Sequence, residues 1–263
     1  LFAEKDAALI RKPGQEQFET RLRTQNGEQR EVVISRATFC GADGRTAGLV
    51  GVVTDITQVK EAENRLKQSY EQLRRTLNAA VQAIVAAVET RDPYTAGHQK
   101  RVTRLSRAIA QEMGLDSEIT EGIRVAASIH DIGKISVPAE ILSKPTKLSE
   151  IEFGLIQTHS MAGYEILRGI DFPWPVAQMV LQHHERQNGS GYPAGLRGEE
   201  IMPEARIITV ADVVEAMATH RPYRPARGLE AALAEIEKNK GILYDAAVVD
   251  VCLRLFREKG FEF

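Results

Sequence analysis

The chain has 263 residues, 43% of them hydrophobic, which is enough for one large domain or two small ones with buried cores. Its 34 basic and 36 acidic residues nearly cancel, so the overall charge argues against a nucleic-acid polymer as partner. The two cysteines, Cys40 and Cys252, are far apart in sequence, which argues against a disulfide framework. The sequence has no apolar run of about 18 residues, which argues against a membrane span. We expect a cytoplasmic segment without membrane contact. Because it starts at Leu1 rather than Met, we expect it to be cut from a longer protein, which could be tethered to a membrane upstream.

Residues 1–57 have the pattern of strands joined by turns. Polar and apolar side chains alternate over residues 18–23 and 30–35, and Asn26-Gly27 between them is a strong hairpin signal. A second turn leads into residues 48–57, which are rich in β-branched side chains. The pattern predicts a small antiparallel meander.

The last predicted strand reads Gly51-Val52-Val53-Thr54-Asp55-Ile56-Thr57. It resembles the final strand of a PAS sensor domain, which runs into a signalling helix. The resemblance covers residues 1–57 only and implies the C-terminal part of such a domain without its ligand-holding front half. The alternative is an unrelated β-meander, and neither interpretation names a ligand.

A single long helix is predicted over residues 58–90, because residues 59–88 lack Gly and Pro and are rich in helix formers. Apolar residues recur at heptad spacing in two rows: Val59, Leu66, Leu73 and Ala80, and Tyr70, Leu77 and Ile84. The spacing favours a parallel coiled coil that makes a homodimer through residues 59–88; the alternative is a helix packed on its own domain. A paired helix could carry a sensor state to a catalytic domain.

From residue 91 to 263 the pattern is entirely helical, so the fold class is mostly α, a helical bundle preceded by the long helix and the small β segment. Helices are expected over residues 120–129, 176–181, 205–217, 229–240 and 246–257, and another ends at Gly114. Ser149 is the expected N-cap of a further helix, which we expect to carry His159.

Five of the six histidines stand at the end or on the inner stretch of an apolar-faced helix: His98, His130, His159, His183 and His184. One such histidine is usually a core residue bonded to a backbone carbonyl. Five of them beside Asp131 and Asp212 favour a shared metal site, since buried polarity needs a partner. His220 is left out because its neighbours, Thr219 and Arg221, are polar.

No helix carries two histidines at i, i+4 spacing, so these ligands must converge from several helices. Seven ligands exceed the four of one tetrahedral zinc ion. With a bridging carboxylate they suit two octahedral-preferring divalent ions, Fe or Mn, with zinc or others as substitutes.

The order His98, then His130-Asp131, then Asp212 is similar to that of the HD phosphohydrolase superfamily. Further motifs make the chain resemble an HD-GYP domain: His159, His183-His184 and Gly191-Tyr192-Pro193. The resemblance implies an HD-type bundle over residues 91–263 that hydrolyses cyclic di-GMP, a bacterial second messenger, to pGpG, and it leaves open whether pGpG or GMP is the end product. Some relatives act on cyclic GMP-AMP.

The resemblance also implies residue roles. We expect Asp131 to bridge two ions, one completed by His98, His130 and Asp212 and the other by His159, His183 and His184, a division that the sequence leaves open. Paired divalent ions suit a phosphodiester because they neutralise phosphoryl oxygens and lower the pKa of water. Lys134 is expected to stabilise the developing charge or to protonate the leaving oxygen.

Substrate contacts are expected from Arg221 and Arg224 to the second phosphate, and from Tyr192, flanked by Gly191 and Pro193, to a guanine. The alternative for the two arginines is a solvated cationic turn. Some HD-GYP domains hold a third metal through a glutamate four residues before the first histidine. Tyr94 stands there instead, so we expect two metals. Asn188 stands where many relatives have Asp, and we expect it to have no ligand role.

Two rival functions remain. One is an HD phosphohydrolase that acts on another nucleotide, and the other is a non-catalytic cyclic dinucleotide sensor that works through contacts with other signalling proteins. The intact ligand set argues against the second.

Overall fold

The structure is a computed structural model that describes residues 2–91, 97–144, 146–219 and 228–263. It is mostly helical with one small antiparallel sheet, so the predicted fold class is confirmed. The chain divides into two compact units, Leu1–Leu77 and Asn78–Phe263. Among the described residues, no helix is both long enough and apolar enough to cross a membrane.

The first unit is built on the predicted meander. Its strands are β1 (Gln15–Arg23), β2 (Gln29–Cys40) and β3 (Thr46–Asp55), in the order β1-β2-β3 with both pairs antiparallel. Gly27 and Gly44 adopt positive φ in the two connecting turns, which residues with a Cβ rarely do. Val32 and Ile34 of β2 are the buried centre of the sheet.

The structure differs from the prediction at the start of the chain, where α1 (Phe2–Arg11) is a helix rather than a strand. The segment FAEKDAALIR combines Ala, Glu, Lys and Leu, which are strong helix formers, and it has no period-two alternation. Asp6 of α1 pairs with Arg36 of β2, whose guanidinium is also 2.9 Å from Glu16. This ion-paired arginine ties α1 to the sheet.

The predicted long helix is confirmed as α2 (Thr57–Arg91). In this single chain most of the large heptad side chains of its first part are exposed; Leu66 is 72% exposed and Leu73 is 68% exposed. Towards the end of the helix, Val85 and Val88 are buried in the core of the second unit. The end of α2 therefore packs on its own domain, while the coiled-coil dimer remains a prediction for the part before it.

The second unit is a bundle of short helices around one apolar core. They are α3 (His98–Glu112), α4 (Ser117–Ile129), α5 (Ala139–Leu142), α6 (Glu150–Gln157), α7 (His159–Leu167), α8 (Val176–Gln182), α9 (Pro203–Ala218), α10 (Leu229–Lys238) and α11 (Ala246–Arg257). Short 3-10 helices cover Ile132–Ser136 and Gly198–Glu200. Leu105, Ile109 and Ile208 are fully buried in the core, and α11 packs there through Val249 and Cys252.

The helix that Ser149 opens is shorter than predicted. Ser149 does cap α6, within a capping box completed by Glu152, but α6 stops at Gln157 and His159 begins α7. Thr158 makes the break, because both its amide and its hydroxyl bond to the Leu155 carbonyl three residues back, in place of an α-helical bond. This break puts His159 at a helix start.

Glu152 links this capping box to Lys144, whose Nζ lies 2.7 Å from both carboxylate oxygens. The hydrogen bond from Lys144, followed by the one from the Ser149 backbone, lowers the pKa of Glu152 from 4.5 to about 2. A carboxyl with a lowered folded-state pKa stabilises the fold above its unfolded pKa, and that contribution disappears as the pH falls through the lower value.

We therefore expect Glu152→Gln to unfold at lower urea concentration than the wild type at neutral pH. The difference should shrink as the pH falls from about 4.5 towards about 2. Urea unfolding followed by circular dichroism at several pH values checks this, with Glu150→Gln on the same turn as the control. A difference that stays constant with pH would contradict the assignment.

Candidate metal centre

The polar centre of the second unit is assembled from helix ends. His98 and His159 are the first residues of α3 and α7, His130 directly follows α4, and His183-His184 follow α8. Two carboxylates join them: Asp131, just before the 3-10 helix Ile132–Ser136, and Asp212 on α9. The structure thus brings together all seven residues that the sequence analysis proposed as ligands, although they span 115 positions between His98 and Asp212.

One donor triad consists of His98, His130 and Asp212, whose ligand atoms all lie within 4.8 Å of one another. Asp212 Oδ1 is 3.2 Å from His98 Nε2 and 3.9 Å from His130 Nε2. Among the described residues, neither Nε2 atom has a hydrogen-bond partner, although both are buried. Buried nitrogens without a partner are costly, and a cation between them and the carboxylate would satisfy them.

The second triad consists of His159, His183 and His184, again with ligand atoms within 4.8 Å of one another. The Nε2 atoms of His159 and His183 face each other at 3.3 Å, while their Nδ1 atoms donate to the carbonyls of Ile156 and Val180. With the proton on Nδ1, each Nε2 presents a lone pair. Two facing lone pairs repel, so this pocket also fits a cation.

Asp131 lies between the two triads. Its Oδ1 is 3.5 Å from His159 Nε2, and its Oδ2 is 3.5 Å from His130 Nε2. His130, Asp131 and His183 form a third possible ligand group that overlaps both triads. A carboxylate with one oxygen towards each triad has the geometry that a bridging ligand needs.

The protonation states also suit metal ligands, which must be neutral imidazoles and ionised carboxylates. Burial lowers the pKa of His183 to about 3, and it holds the pKa of His184 well below the usual value. Burial opposes ionisation of Asp131, but the positive charge of Lys134 and the nearby histidines outweigh it and lower its pKa. His98 is the exception: burial lowers its pKa, but the neighbouring carboxylates of Asp212 and Glu215 outweigh burial and raise it to about 9, so this imidazole must lose a proton before it can bind a metal.

Lys134 is buried within the 3-10 helix, and its Nζ donates to Asp131 Oδ2 at 2.7 Å. The ammonium therefore sits beside the carboxylate between the triads. Gly133 allows this arrangement, because a Cβ at this position would overlap the His159 carbonyl and lie 2.5 Å from the Gly163 amide nitrogen. The close approach brings Ile132–Ser136 against α7.

The Gly191-Tyr192-Pro193 loop covers one side of the second triad. The Tyr192 ring lies over His184, with centroids 4.7 Å apart and planes tilted by 33°, and burial raises the pKa of its hydroxyl. The Tyr192-Pro193 peptide bond is cis. The Asn188 side chain is used within its own loop, where its Oδ1 accepts hydrogen bonds from the amide and the hydroxyl of Ser190.

Two buried carboxylates near the site, Glu185 and Glu215, were not among the residues predicted from the sequence. Glu185 accepts the amides of Ala194 and Leu196, at 2.8 and 3.0 Å, and so holds the loop after Tyr192. Glu215 accepts a hydrogen bond from His98 and another from Arg101. The signal for Glu215 was its position three residues after Asp212, which puts both acids on one face of α9.

Three proposed positions lie outside the described residues. They are Tyr94, on which the expected number of metals depends, and the proposed phosphate contacts Arg221 and Arg224. His220, which the sequence analysis left out of the metal site, lies outside as well.

Comparisons with known proteins agree with this geometry. Residues 62–248 match a family model described as an HD domain. The cyclic di-GMP phosphodiesterase response regulator RpfG of Xanthomonas campestris pv. campestris is 40% identical over 73% of this chain and 51% of its own length. A cyclic di-GMP phosphodiesterase of Thermotoga maritima is 43% identical over 65% of this chain and 47% of its own length.

A third relative, a 3'3'-cGAMP-specific phosphodiesterase 3 of Vibrio cholerae serotype O1, is 40% identical over 62% of this chain and 35% of its own length. The chain therefore spans between about a third and a half of these curated relatives.

The close packing at Gly133 yields a prediction. Gly133→Ala should destabilise the protein by roughly 1–3 kcal/mol, because the added methyl group must push Ile132–Ser136 away from α7. The same shift should weaken binding of divalent metal by separating Asp131 from His159. Urea unfolding and metal titration measure the two effects.

Gly154→Ala is the matched control, since nothing lies within 4 Å of a Cβ at this α6 position. It should leave metal binding unchanged and add up to roughly 1 kcal/mol of stability. Equal behaviour of the two variants would contradict the packing argument.

Proposed function

The chain belongs to the HD domain family, and from this we propose that it is a metal-dependent phosphodiesterase that hydrolyses cyclic di-GMP to pGpG and on to GMP. One observation carries the proposal: two buried donor triads flank a single carboxylate, Asp131, beside the Gly191-Tyr192-Pro193 loop. Two relatives that are 40% and 43% identical to this chain over the matched residues are named cyclic di-GMP phosphodiesterases.

We propose that His98, His130 and Asp212 would hold one divalent ion and His159, His183 and His184 another, with Asp131 between them. The imidazole-rich donor sets fit Fe or Mn, with zinc as a substitute. When bound, such ions neutralise phosphoryl oxygens and make water a better nucleophile at neutral pH. The backbone carbonyls of Ile156 and Val180 hold the protons of His159 and His183 at Nδ1, which leaves Nε2 free to bind.

Lys134 is proposed as a catalytic residue. Its Nζ donates to Asp131 Oδ2, so a proton and a positive charge are held at one edge of the site. There the ammonium would stabilise negative charge on the phosphate and give a proton to the leaving oxygen. Lys134 is one of the three buried residues of this short 3-10 helix, with Ile132 and Gly133.

Tyr192 is proposed to line the base pocket, with Gly191 and Pro193 shaping the loop around it. An aromatic ring packed on His184 at the edge of the triads offers a stacking surface for a guanine. Arg221 and Arg224, outside the described residues, are proposed to bind the second phosphate by bidentate hydrogen bonds.

A second candidate substrate is 3'3'-cyclic GMP-AMP, because one relative at 40% identity is named for it. The two substrates differ in one base, so their discrimination would lie in the pocket beside Tyr192. The alternative is a sensor that binds the cyclic dinucleotide without hydrolysing it, and the turnover experiment below distinguishes it from an enzyme.

We also propose a domain organisation: a PAS-type sensor part over residues 1–57, a signalling helix over 58–90 and the HD-GYP phosphodiesterase domain over 91–263. Exposed heptad side chains before residue 78 support the pairing of α2 in a homodimer. We propose that this dimer acts in the cytoplasm. Contacts with other signalling proteins would follow from this arrangement.

Turnover tests the function directly. Purified protein with Mn²⁺ or Fe²⁺ should convert cyclic di-GMP, measured by chromatography of the products, and Asp131→Ala and His130→Ala should each reduce the rate to background. Asp250→Ala, an exposed acid paired with Lys240, is the control and should keep the rate. Micromolar binding of cyclic di-GMP without turnover by the wild type would favour the sensor instead.

Metal analysis of anaerobically purified protein should give two ions per chain, since Tyr94 replaces the glutamate that a third would need. A reproducible three would contradict this. A wild-type rate in Asp131→Ala would contradict the bridging role.

The dimer has its own test. Leu66→Glu together with Leu73→Glu should convert a dimer to a monomer at micromolar concentration, because like charges would face each other across the seam. Light scattering after size exclusion measures the mass. Gln68→Glu with Gln72→Glu, off the seam, is the matched control, and a wild-type monomer at this concentration would contradict the pairing.

A further inference from the structure

Four of the five site histidines are held by hydrogen bonds of two different kinds. His130, His159 and His183 each donate Nδ1–H to the carbonyl three residues earlier: Ala127 at 2.8 Å, Ile156 at 2.5 Å and Val180 at 2.6 Å. Such a partner lies within the same helical turn and carries no net charge. The Nδ1 of His98 instead bonds to the carboxylate of Glu215, on a different helix and 117 positions away.

Glu215 is fully buried, and each of its oxygens has a partner. Oε2 accepts from His98, while Oε1 accepts from Arg101 Nε at 2.6 Å and from Thr219 Oγ1 at 3.1 Å. The carboxylate is therefore a compensated buried charge and not a vacant ligand.

This pair connects α3 and α9 at the first triad. His98 and Arg101 lie three residues apart on α3, and Asp212 and Glu215 lie three residues apart on α9. Two contacts therefore join the facing sides of α3 and α9. One is between the proposed ligands, with His98 Nε2 3.2 Å from Asp212 Oδ1, and the other is between Arg101 and Glu215.

We propose that Glu215 is a positioning residue that, with Arg101, fixes the ring and tautomer of His98 and sets the divalent-metal affinity of the His98–His130–Asp212 triad. A carboxylate on the remote nitrogen strengthens an imidazole as a donor and orients it, more than a neutral carbonyl does. Among the described residues, Asp212 Oδ2 is 4.0 Å from His184 Nδ1, beyond hydrogen-bond distance, so a carboxylate hydrogen-bonded to a remote ring nitrogen supports the first triad and the two triads should bind metal unequally. The inference rests on the proposed metal-dependent function.

The test is a Mn²⁺ titration of metal-stripped full-length chain by calorimetry. Glu215→Gln turns one of the two acceptor oxygens into an NH2 donor, so the N–H groups of His98 and Arg101 can no longer each bond to an oxygen of its own. We expect the affinity of one of the two sites to fall roughly 10- to 100-fold, with the other site unchanged. Glu112→Gln, the same substitution at an acid paired with Arg254 and Lys259, should change neither site.

A double-mutant cycle separates positioning from general stability. If Glu215 acts through His98, Glu215→Gln should weaken Mn²⁺ binding by less than about twofold in a His98→Ala background. Thermal unfolding of the metal-free variants shows whether each is folded.

An unchanged wild-type-like affinity in Glu215→Gln, an equal loss at both sites, or the full loss in the His98→Ala background would each overturn the proposal. So would a wild type that binds no Mn²⁺. A wild type that binds Mn²⁺ at two sites but hydrolyses no cyclic dinucleotide would overturn the proposed function alone, because the titration does not depend on turnover.

Discussion

The second unit depends on a group of buried polar side chains whose lone pairs point at one another. Asp131 separates two donor triads, and His159 and His183 face each other through unprotonated nitrogens 3.3 Å apart. A protein interior tolerates such a group only if something positive lies within it. Lys134 supplies one positive charge, and the donor sets are suited to divalent ions for the rest.

The helical bundle positions these side chains by bringing the ends of several helices together around Asp131. The close contact at Gly133 brings backbone against backbone, and the break at Thr158 puts His159 at the start of a helix. Local bonds then orient three imidazoles from within their own turns, while Glu215 orients His98 from a neighbouring helix. Orientation is thus achieved mostly by short-range structure, with one long-range exception.

Much of this was predictable from the sequence. Alternation and an Asn-Gly turn predicted the meander, and the lack of Gly and Pro predicted α2. Histidines beside apolar runs predicted that these polar side chains converge, because polarity at a buried helix end needs a partner. What could not be predicted came from tertiary contacts: the break after Gln157 depends on a hydroxyl bond of Thr158, and Glu215 looks like an ordinary helix acid until α3 lies beside it. The helix α1 was not predicted, because the strand pattern of the following residues was extended back over Phe2–Arg11, a segment rich in strong helix formers.

The central claim is that two divalent ions occupy the two triads on either side of Asp131. Anomalous diffraction from crystals of the Mn²⁺-loaded chain tests it most directly. The account predicts two peaks, one among His98, His130 and Asp212 and the other among His159, His183 and His184, with Asp131 in contact with both. A single peak, or peaks away from these side chains, would contradict it.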